Sequence, residues 1–396
     1  MAILVLNCGS SSVKYRLYQE DGGLLARGMV EKLNTSRPRV RHGAGGWEVD
    51  REAPEVSGHR DAVGLGLELC VRGEKPALEH LDQVRAVGHR VVHGGEEFSQ
   101  PTLVTGEVIS AIQRYAALAP LHNPANLAGI LAARELLPGR PQVAVFDTAF
   151  HTSLPEQAYL YALPYAWYQE HQIRRYGFHG ISHQYVSGRI RKLLGHAATR
   201  RTIVCHLGNG ASISAVLDGK CVDTSMGFTP LEGLVMGTRS GDVDPSLVLY
   251  AQTGLGLSPA DLDRALNRES GLLGLSALSP DMRDIEQGID RGHPGCRRAW
   301  AVTTYRLVKY IGAYTAVLGG LDCLVFTAGI GENSSRLRRA VAGGLHYAGV
   351  ILDADRNELE TGEREISAAT SQVRVWVVPT DEEGLIARET ARLAKQ

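Results

Sequence analysis

Short runs of glycine, hydroxyl and amide residues follow apolar stretches in this chain, and such turns can bind phosphate groups. The first run, residues 7–14, combines Gly9 with three consecutive serines and ends at Lys14. Its backbone amides, hydroxyls and ammonium group could converge on a polyphosphate. A serine-rich β-turn with a solvated lysine is the alternative. The run is not a Walker A loop, because that motif carries its lysine at the start of a helix.

A second run, residues 206–212, occurs in the same context as the first. Apolar residues 3–6 precede the first run and residues 202–205 precede the second, and an alternating apolar segment follows each. A period of two is typical of a strand, so each unit is predicted to be a β-hairpin with a polar turn. The repeated hairpin predicts a duplicated domain with a cleft between the copies, and it favours phosphate binding over a plain turn.

The third run, residues 328–335, follows an apolar stretch at 323–327. Its glycines would let the backbone approach a nucleotide closely, although a simple strand-to-helix turn explains the same pattern. Asn333 or Ser334 is suited to cap a helix that begins near Arg336.

Two arginines and a histidine lie close to glycines, where they could reach a bound anion. Guanidinium groups bind carboxylates and phosphates through paired hydrogen bonds, so Arg90 and Arg239 could clamp anionic groups, although structural ion pairing is the alternative for each. His179 is a candidate donor to phosphate. Its i,i+4 partner His183 does not favour zinc, because the glutamate of the H-E-x-x-H motif is absent. Two further polar residues would by themselves be assigned structural partners only: His122 and Asp147.

The composition is that of a two-domain enzyme. The chain has 396 residues, and Lys+Arg (42) nearly balance Asp+Glu (43), which does not favour nucleic acid or an anionic membrane as a partner. Its six cysteines are far apart, as expected of reduced thiols in cytosol. No secretory signal or membrane span is predicted. Helical periodicity indicates mixed α/β layers and occurs at residues 109–118, 126–136, 187–194 and 297–318.

Together these motifs resemble the acetate kinase family, in order and spacing, over nearly the whole chain. The resemblance rests on residues 7–12, 88–95, 146–150, 177–180, 206–210, 237–242 and 381–383. It implies an α/β fold of duplicated ribonuclease-H-like (actin-like ATPase) domains, with mixed β-sheets flanked by helices and an interdomain cleft. The N-terminal domain would span 1–150, which a C-terminal helix at 385–396 could complete, and the C-terminal, nucleotide-binding domain would span 151–384.

The resemblance also implies an activity. A cytoplasmic homodimer would transfer a phosphoryl group reversibly and in line between ATP and acetate, giving acetyl phosphate and ADP, with Mg²⁺ or substituting Mn²⁺. A phosphoenzyme formed on a carboxylate is the alternative mechanism. A propionate or butyrate kinase would share the polar residues and differ by one or two methylenes of pocket volume. A nucleotide-switched ATPase without kinase activity is disfavoured, because it would not need two arginines beside an apolar notch.

The resemblance further implies roles for matching residues. His179 and Arg239 would stabilise the transition state, supported by His122, with Asp147 as positioner or proton acceptor. Arg90 would hold the carboxylate beside apolar walls formed by Val92, Leu121, Phe178 and Pro230. Asn7 and Glu382 would organise Mg²⁺. The phosphates and nucleotide would contact Lys14, Ser10, Ser12, His206, Leu207, Gly208, Asn209, Gly210, Asp281, Met282, Arg283, Gly329, Ile330, Gly331, Glu332 and Asn333.

Two positions depart from the family pattern. Ala328 occupies a position where glycine is usual, and Gly384 follows the glutamates where an apolar residue is common. Both lie next to predicted ligand-binding residues. The residues that form the adenine pocket are therefore left open, as is the question whether Glu382 or Glu383 faces the metal.

Overall fold

The computed structural model describes residues 1–120, 122–359 and 362–395, so Leu121, predicted to line the substrate pocket, lies outside the described residues. The chain forms two compact units. The first comprises Met1–Phe150 and Asp381–Gln396, and the second comprises His151–Thr380. The chain thus returns to the first unit at Asp381, four residues before the boundary that the sequence suggested. The two units are described separately below.

The first unit contains a mixed sheet of eight strands. Its strands are β1 (Ala2–Gly9), β2 (Ser12–Gln19), β3 (Leu24–Glu31), β4 (Arg39–Ala44), β5 (Trp47–Glu52), β6 (Val84–Val91), β7 (Thr102–Leu103) and β8 (Gln142–Phe146). Its helices are α1 (His59–Val71), α2 (Gly106–Arg114), α3 (Asn123–Leu136) and, at the C-terminus, α15 (Glu382–Leu393), with 3₁₀ turns at Leu81–Gln83 and Tyr115–Ala117.

The strand order in this sheet is β5-β4-β3-β2-β1-β6-β8-β7. Strands β1 to β5 pair in antiparallel fashion, whereas β1, β6 and β8 are parallel neighbours. A hydrophobic core forms where α1 and α3 cover one face. Helix α15 packs on β6 because Gly88 has no side chain: a Cβ there would lie 2.3 Å from Thr390 Oγ1 and 2.6 Å from Ile386 Cγ2.

The second unit contains a six-stranded sheet. Its strands are β9 (Arg201–Leu207), β10 (Ala211–Leu217), β11 (Lys220–Thr224), β12 (Cys323–Thr327), β13 (Arg364–Glu365) and β14 (Arg374–Val377). Its helices are α4 (Glu156–Tyr159), α5 (Tyr165–His171), α6 (Gly180–Leu194), α7 (Pro245–Thr253), α8 (Pro259–Arg268), α9 (Gly271–Ser276), α10 (Met282–Asp290), α11 (Pro294–Val317), α12 (Ala328–Asn333), α13 (Ser335–Gly343) and α14 (Ala354–Glu358), with 3₁₀ turns at Ala197–Thr199 and His346–Ala348. A further 3₁₀ turn, Ala149–Ser153, contains the last two residues of the N-terminal segment of the first unit and the first three residues of the second.

The strand order here is β11-β10-β9-β12-β14-β13. The antiparallel hairpin β9–β10 is followed by the parallel neighbours β12 and β14, as β1–β2 is followed by β6 and β8. The central order β11-β10-β9-β12-β14 therefore repeats β3-β2-β1-β6-β8. This confirms the predicted duplication and the ribonuclease-H-like, actin-like fold class.

Several local predictions are confirmed. Both predicted hairpins form, and a further hairpin joins β4 and β5. Ser334 is the N-cap of α13, where its hydroxyl accepts from Leu337 N. All six cysteines are free and buried. None of the described helices combines the length and apolarity that a membrane span requires.

Candidate active site

Three charged residues meet in the first unit and are called the carboxylate cluster below: Arg90, Asp147 and Glu382. Arg90 lies on β6, and Asp147 follows β8 immediately, so the parallel pairing of these strands brings the two side chains to the same end of the sheet. Arg90 Nε donates to Asp147 Oδ1 (3.1 Å), and Nη2 donates to Oδ2 (2.6 Å). Glu382, the first residue of α15, places Oε2 3.8 Å from Arg90 Nε.

Burial and mutual charge shape the protonation of this cluster. Burial opposes the charge of the Arg90 guanidinium, but the Asp147 and Glu382 carboxylates outweigh it and raise the Arg90 pKa above its usual value. Burial also raises the pKa of Glu382 to about 7, with contributions from the Asp147 and Glu383 carboxylates and only partial relief by Arg90. One arginine thus faces two buried carboxylates. A further cation bound there would compensate the excess negative charge.

The two neighbouring glutamates face different partners. Glu382 contacts Arg90, whereas Glu383 Oε2 lies 3.7 Å from Arg16 Nη1 on β2. Glu382 is therefore the glutamate that belongs to the carboxylate cluster. Gly384 is the third residue of α15, and its amide donates to Asp381 Oδ1 (3.0 Å), which caps the helix.

The donor set of the first unit fits a hard divalent cation. Such ions prefer carboxylate and amide oxygens, which Asp147, Glu382 and Asn7 on β1 supply, and a cation would favour the ionised form of Glu382. No group of three or more His, Cys, Asp or Glu side chains in the described part of the chain is arranged as a preformed metal site. Reactant oxygens and waters would have to complete the coordination.

The remaining candidates of the first unit lie on its turns and strand ends. Lys14 and Ser12 are on β2, and Lys14 is exposed in register with Asn7. Ser10 is exposed in the β1–β2 turn. Val92 is 9% exposed and follows β6. His122 is the N-cap of α3, where its carbonyl accepts from Asn126 N (3.0 Å).

His179 occupies a strained position at the start of α6 in the second unit. Its φ of 58° lies in the left-handed region, which costs a non-glycine residue about 1–2 kcal/mol and is often found at functional sites. Nδ1 lies 3.0 Å from Ser212 Oγ. The imidazole stacks on that of His206, with ring centroids 4.2 Å apart and planes at 26°. The ring is thus held from one edge and one face.

Arg239 carries a guanidinium group that no carboxylate of the described residues compensates. Its Nη1 donates to Pro230 O (2.6 Å), and no described residue forms an ion pair with it. Burial lowers its pKa below the usual value. A Cβ on Gly210 would lie 2.7 Å from Arg239 Nη2 and 3.4 Å from His179 Nε2, so only glycine leaves room for both donors at this turn. Arg239 and His179, called the donor pair below, therefore offer N–H groups to an incoming anion.

A cavity of about 840 Å³ adjoins the β9–β10 turn. Asp281 caps α10 through Arg283 N (2.9 Å) and binds the Arg283 side chain at its exposed edge. The volume falls within the range of ligand sites. Its lining includes most predicted nucleotide-binding residues of this unit and three that were not predicted to bind nucleotide, Pro280, Glu286 and Ser334. The lining residues are Gly208, Asn209, Pro280, Asp281, Met282, Arg283, Glu286, Gly329, Ile330, Asn333 and Ser334.

The third glycine run is a short helix, α12, and not an open turn. Ala328 begins it with φ of 63°, a conformation that explains why glycine is usual there. Arg338 Nη1 donates to the carbonyls of Gly331 and Glu332 at its C-terminal end, at 2.9 Å each. These bonds satisfy carbonyls that a helix end leaves without partners. Glu332 Oε1 also accepts from Thr380 N (3.2 Å).

Two predicted pocket walls also lie in the second unit. Phe178 is buried, and its carbonyl accepts from His151 Nε2 (3.0 Å). Pro230 is partly exposed and holds Arg239 through its carbonyl. Whether they contact an acyl chain stays a prediction.

The residues behind His179 were not predicted from the sequence to belong to the site. Ser212 and Ser214 point to the same face of β10, and His183 lies one turn along α6 from His179. The alternation of β10 and the i,i+4 spacing on α6 were available as signals, but the contact between the two elements was not. Their role is considered below.

The chain combines a duplicated actin-like ATPase fold, a glycine-lined ligand cavity and a pair of donors suited to bind an anion. Together these features define an ATP-dependent phosphotransferase. Comparison with known proteins agrees. The sequence model of the acetokinase family matches residues 2–388, and the chain belongs to this family. Its members transfer a phosphoryl group to a carboxylate.

Individual relatives are similar over their full length. The acetate kinase of Dictyoglomus turgidum is 48% identical over 395 residues, covering 99% of this chain and 98% of that protein. The crystal structure of Porphyromonas gingivalis acetate kinase superposes with a TM-score of 0.94 at 45% identity, covering 99% of both chains. That of a propionate kinase from Francisella tularensis superposes with a TM-score of 0.92 at 41% identity, also covering 99% of both chains.

Proposed function

We propose that this chain transfers the γ-phosphoryl group of ATP to acetate, giving acetyl phosphate and ADP, and catalyses the reverse reaction. The observation that carries the proposal is the uncompensated guanidinium of Arg239 beside His179, at the turn that borders the ligand cavity. A cationic donor held without a counter-ion is suited to charge that develops during phosphoryl transfer.

Acetate needs no general base, because its carboxylate is ionised at neutral pH and is itself the nucleophile. Asp147 is consistent with this chemistry, since both its oxygens already accept from Arg90 and its side chain is 2% exposed. Asp147 therefore acts as a positioning residue for Arg90, which would bind the acetate carboxylate. Of the two roles that the sequence left open for Asp147, orientation is favoured over proton abstraction.

ATP would be bound mainly by the second unit. Gly208, Asn209 and the residues that line the cavity would enclose the nucleotide, with Arg283 at its exposed edge. Arg239 and His179 would donate to the transferring phosphoryl group, with His122 in support. From the first unit, Lys14 and the serines of the β1–β2 turn would contact the phosphates. Direct in-line transfer follows most simply, since it requires alignment and charge stabilisation only.

We assign the metal-binding role to Asn7 and Glu382, with Asp147 nearby. Bound Mg²⁺, or Mn²⁺ in its place, would neutralise phosphate charge there. A phosphoenzyme on one of these carboxylates is the competing mechanism. ADP–ATP exchange in the absence of acetate distinguishes the two, because in-line transfer predicts no exchange.

A preference for propionate is the second candidate, favoured by the likeness to the Francisella tularensis propionate kinase. A hydroxamate assay with acetate, propionate, butyrate and glycerol decides among these functions. We expect acyl hydroxamate with the highest kcat/KM for acetate. A higher kcat/KM for propionate or butyrate would change the substrate, and ATP hydrolysis without any acyl phosphate would indicate a non-kinase ATPase.

We also propose a homodimer formed through the second unit. Helix α7 has one buried residue, Ala251, and exposes several large apolar side chains, an arrangement typical of a protein interface. These side chains, with two close in sequence, are Val243, Leu247, Leu249, Tyr250 and Leu255. Light scattering should show a dimer that Leu249→Glu converts to monomer, whereas the control Leu131→Glu in the first unit should not. A monomeric wild type would contradict the proposal.

We expect the protein to function in the cytoplasm. Its six cysteines are buried free thiols, as is usual in a reducing compartment. Its reactant ATP is also cytoplasmic. Fractionation of cells that produce the chain tests this assignment.

A further inference from the structure

A chain of hydrogen bonds runs from His179 into the interior of the second unit. His179 Nδ1 lies 3.0 Å from Ser212 Oγ, and the same oxygen lies 2.7 Å from His183 Nε2. On the other edge of that ring, His183 Nδ1 lies 2.8 Å from Ser214 Oγ. His183, Ser212 and Ser214 are fully buried, so water does not compete for these bonds.

The protons in this chain can be placed because each serine hydroxyl has only one to donate. Burial lowers the pKa of His183 well below its usual value, so its imidazole is neutral and carries a single N–H. Ser212 receives a bond from one imidazole and donates to the other. The hydrogen bonds of this series therefore have only two arrangements. Either every donor is directed towards His179, or every donor is directed away from it.

Ser214 decides between the two arrangements. Among the described residues, His183 is the one hydrogen-bond partner of the Ser214 hydroxyl. If the donors were directed away from His179, the buried Ser214 O–H would have no acceptor, whereas in the opposite direction it donates to His183 Nδ1. A buried donor left without a partner costs about 1–3 kcal/mol. The proton order is thus Ser214 to His183 to Ser212 to His179.

We propose that Ser214, His183 and Ser212 are positioning residues that fix the tautomer of His179, so that Nδ1 accepts from Ser212 and the proton resides on Nε2. Nε2 is the atom that faces the Gly210 turn, on which Arg239 Nη2 also converges. The neutral imidazole then presents a donor, not a lone pair, to an anionic phosphoryl group. This inference deepens the proposed function and rests on it for its catalytic meaning.

A second series of hydrogen bonds nearby supplies a matched control. His206 Nδ1 lies 2.8 Å from Ser182 Oγ, which lies 2.8 Å from Thr380 Oγ1. Ser182→Ala therefore removes a buried hydrogen-bond partner of the His206 ring, which stacks on His179. It leaves the hydrogen bonds between His179, Ser212, His183 and Ser214 intact. A loss of packing alone should affect both variants similarly, but only Ser212→Ala should change the His179 tautomer.

The test combines NMR spectroscopy with enzyme kinetics, both on the full-length protein. In protein labelled with ¹⁵N-histidine, with His179 assigned from His179→Gln, long-range ¹H–¹⁵N spectra should show the Nε2–H tautomer in wild type and in Ser182→Ala. Ser212→Ala should show a mixture of tautomers. Its kcat should fall about tenfold with both KM values within about twofold, less than the 10²–10³-fold loss of deleting a donor outright, because the imidazole remains.

Two further variants keep the test independent of folding defects. Ser212→Thr retains the hydroxyl on a strand and should restore the tautomer and most of kcat. Ser214→Ala, farther from the site, should lower kcat by about two- to threefold. An Nδ1–H tautomer in wild type, or a Ser212→Ala protein with unchanged tautomer and kcat, would overturn the proposal. A wild type that forms no acyl phosphate would instead overturn the proposed function, and the spectra would still report the tautomer.

Discussion

The two units of the molecule share a fold, but the candidate site residues of each have opposite electrostatic settings. In the first unit, Arg90 is held by Asp147 and approached by Glu382, so carboxylates outnumber the guanidinium. In the second unit, Arg239 has no carboxylate partner among the described residues, and its guanidinium and the imidazole of His179 both approach the Gly210 turn. The carboxylate cluster is therefore suited to a cation, whereas the donor pair is suited to an anion.

This difference shows how a duplicated fold can divide one reaction between its copies. The hairpin and parallel strands are the same in each unit, yet the candidate site residues that each unit carries differ in charge. The first unit would hold the metal and the carboxylate, and the second would hold the nucleotide and the moving phosphoryl group. Substitutions in each cluster should accordingly change different kinetic constants.

Removing the guanidinium of the donor pair should produce the largest effect. Arg239→Ala is expected to lower kcat by about 10³-fold or more with a nearly unchanged Kd for ATP, because its donors act chiefly on transition-state charge. Arg239→Lys should recover little, since it lacks the planar fork. Steady-state kinetics and nucleotide titration measure both quantities, and a kcat near wild type in either variant would remove Arg239 from the catalytic residues.

The corresponding change in the carboxylate cluster should affect acetate binding. Arg90→Ala is expected to raise the acetate KM by about 10²-fold, because a buried charge partner is lost. It should also reduce stability by about 3–5 kcal/mol, since Asp147 would be left buried without its cation. Chemical denaturation and acetate saturation curves report the two effects separately. A change in kcat alone would mean that the carboxylate is held elsewhere.

Both units should lose stability in mild acid through buried neutral histidines. Burial lowers the pKa of His89 in the first unit and His151 in the second to about 4. Because the unfolded chain binds their protons near pH 6.5, the free energy of unfolding should be full above that pH and fall towards pH 4, by up to about 3 kcal/mol for each. Urea denaturation between pH 7.5 and 4.5 tests this. The exposed control His171→Gln should not change the trend, and a flat profile would contradict the neutral state.

Acyl-chain preference should respond more weakly. Val92→Ala opens room for about one methylene and should shift kcat/KM towards propionate within about 1–3 kcal/mol. Its neighbour Val91, fully buried on β6, provides the control, since Val91→Ala should lower the melting temperature without shifting the ratio. A Val92→Ala protein with a lower melting temperature and the wild-type ratio would make Val92 a core residue only.

The smallest effect is expected at the start of α12. Ala328 has a left-handed φ of 63°, so Ala328→Gly should stabilise the second unit by about 0.5–1 kcal/mol after the entropy cost of glycine. Ala342→Gly within α13 should instead destabilise it by about 1 kcal/mol. Equal losses in both variants, measured by thermal unfolding, would show that the Ala328 conformation carries no strain.

Local patterns sufficed to predict the hairpins, the strand at 323–327 and a helix cap at Asn333 or Ser334, because alternation and capping depend on neighbouring residues. The pairing of Arg90 with Asp147 could not be predicted, since it depends on the register of two parallel strands far apart in sequence. The return of the chain at Asp381 likewise depends on the contact of α15 with Gly88. Helix α12 was not predicted because its glycines have a low helix propensity. Arg338, which lies outside this segment, stabilises the helix through hydrogen bonds to its carbonyls.

Inhibition by ADP, Mg²⁺, aluminium fluoride and acetate tests the division of labour most directly, because aluminium fluoride mimics the phosphoryl group in transfer. Wild type should form a tight complex that requires acetate. Arg239→Ala should still bind ADP but lose the tight complex, whereas Arg90→Ala should retain its response to aluminium fluoride and lose the dependence on acetate. Tight, acetate-dependent inhibition of Arg239→Ala would contradict the assignment of the phosphoryl group to the second unit.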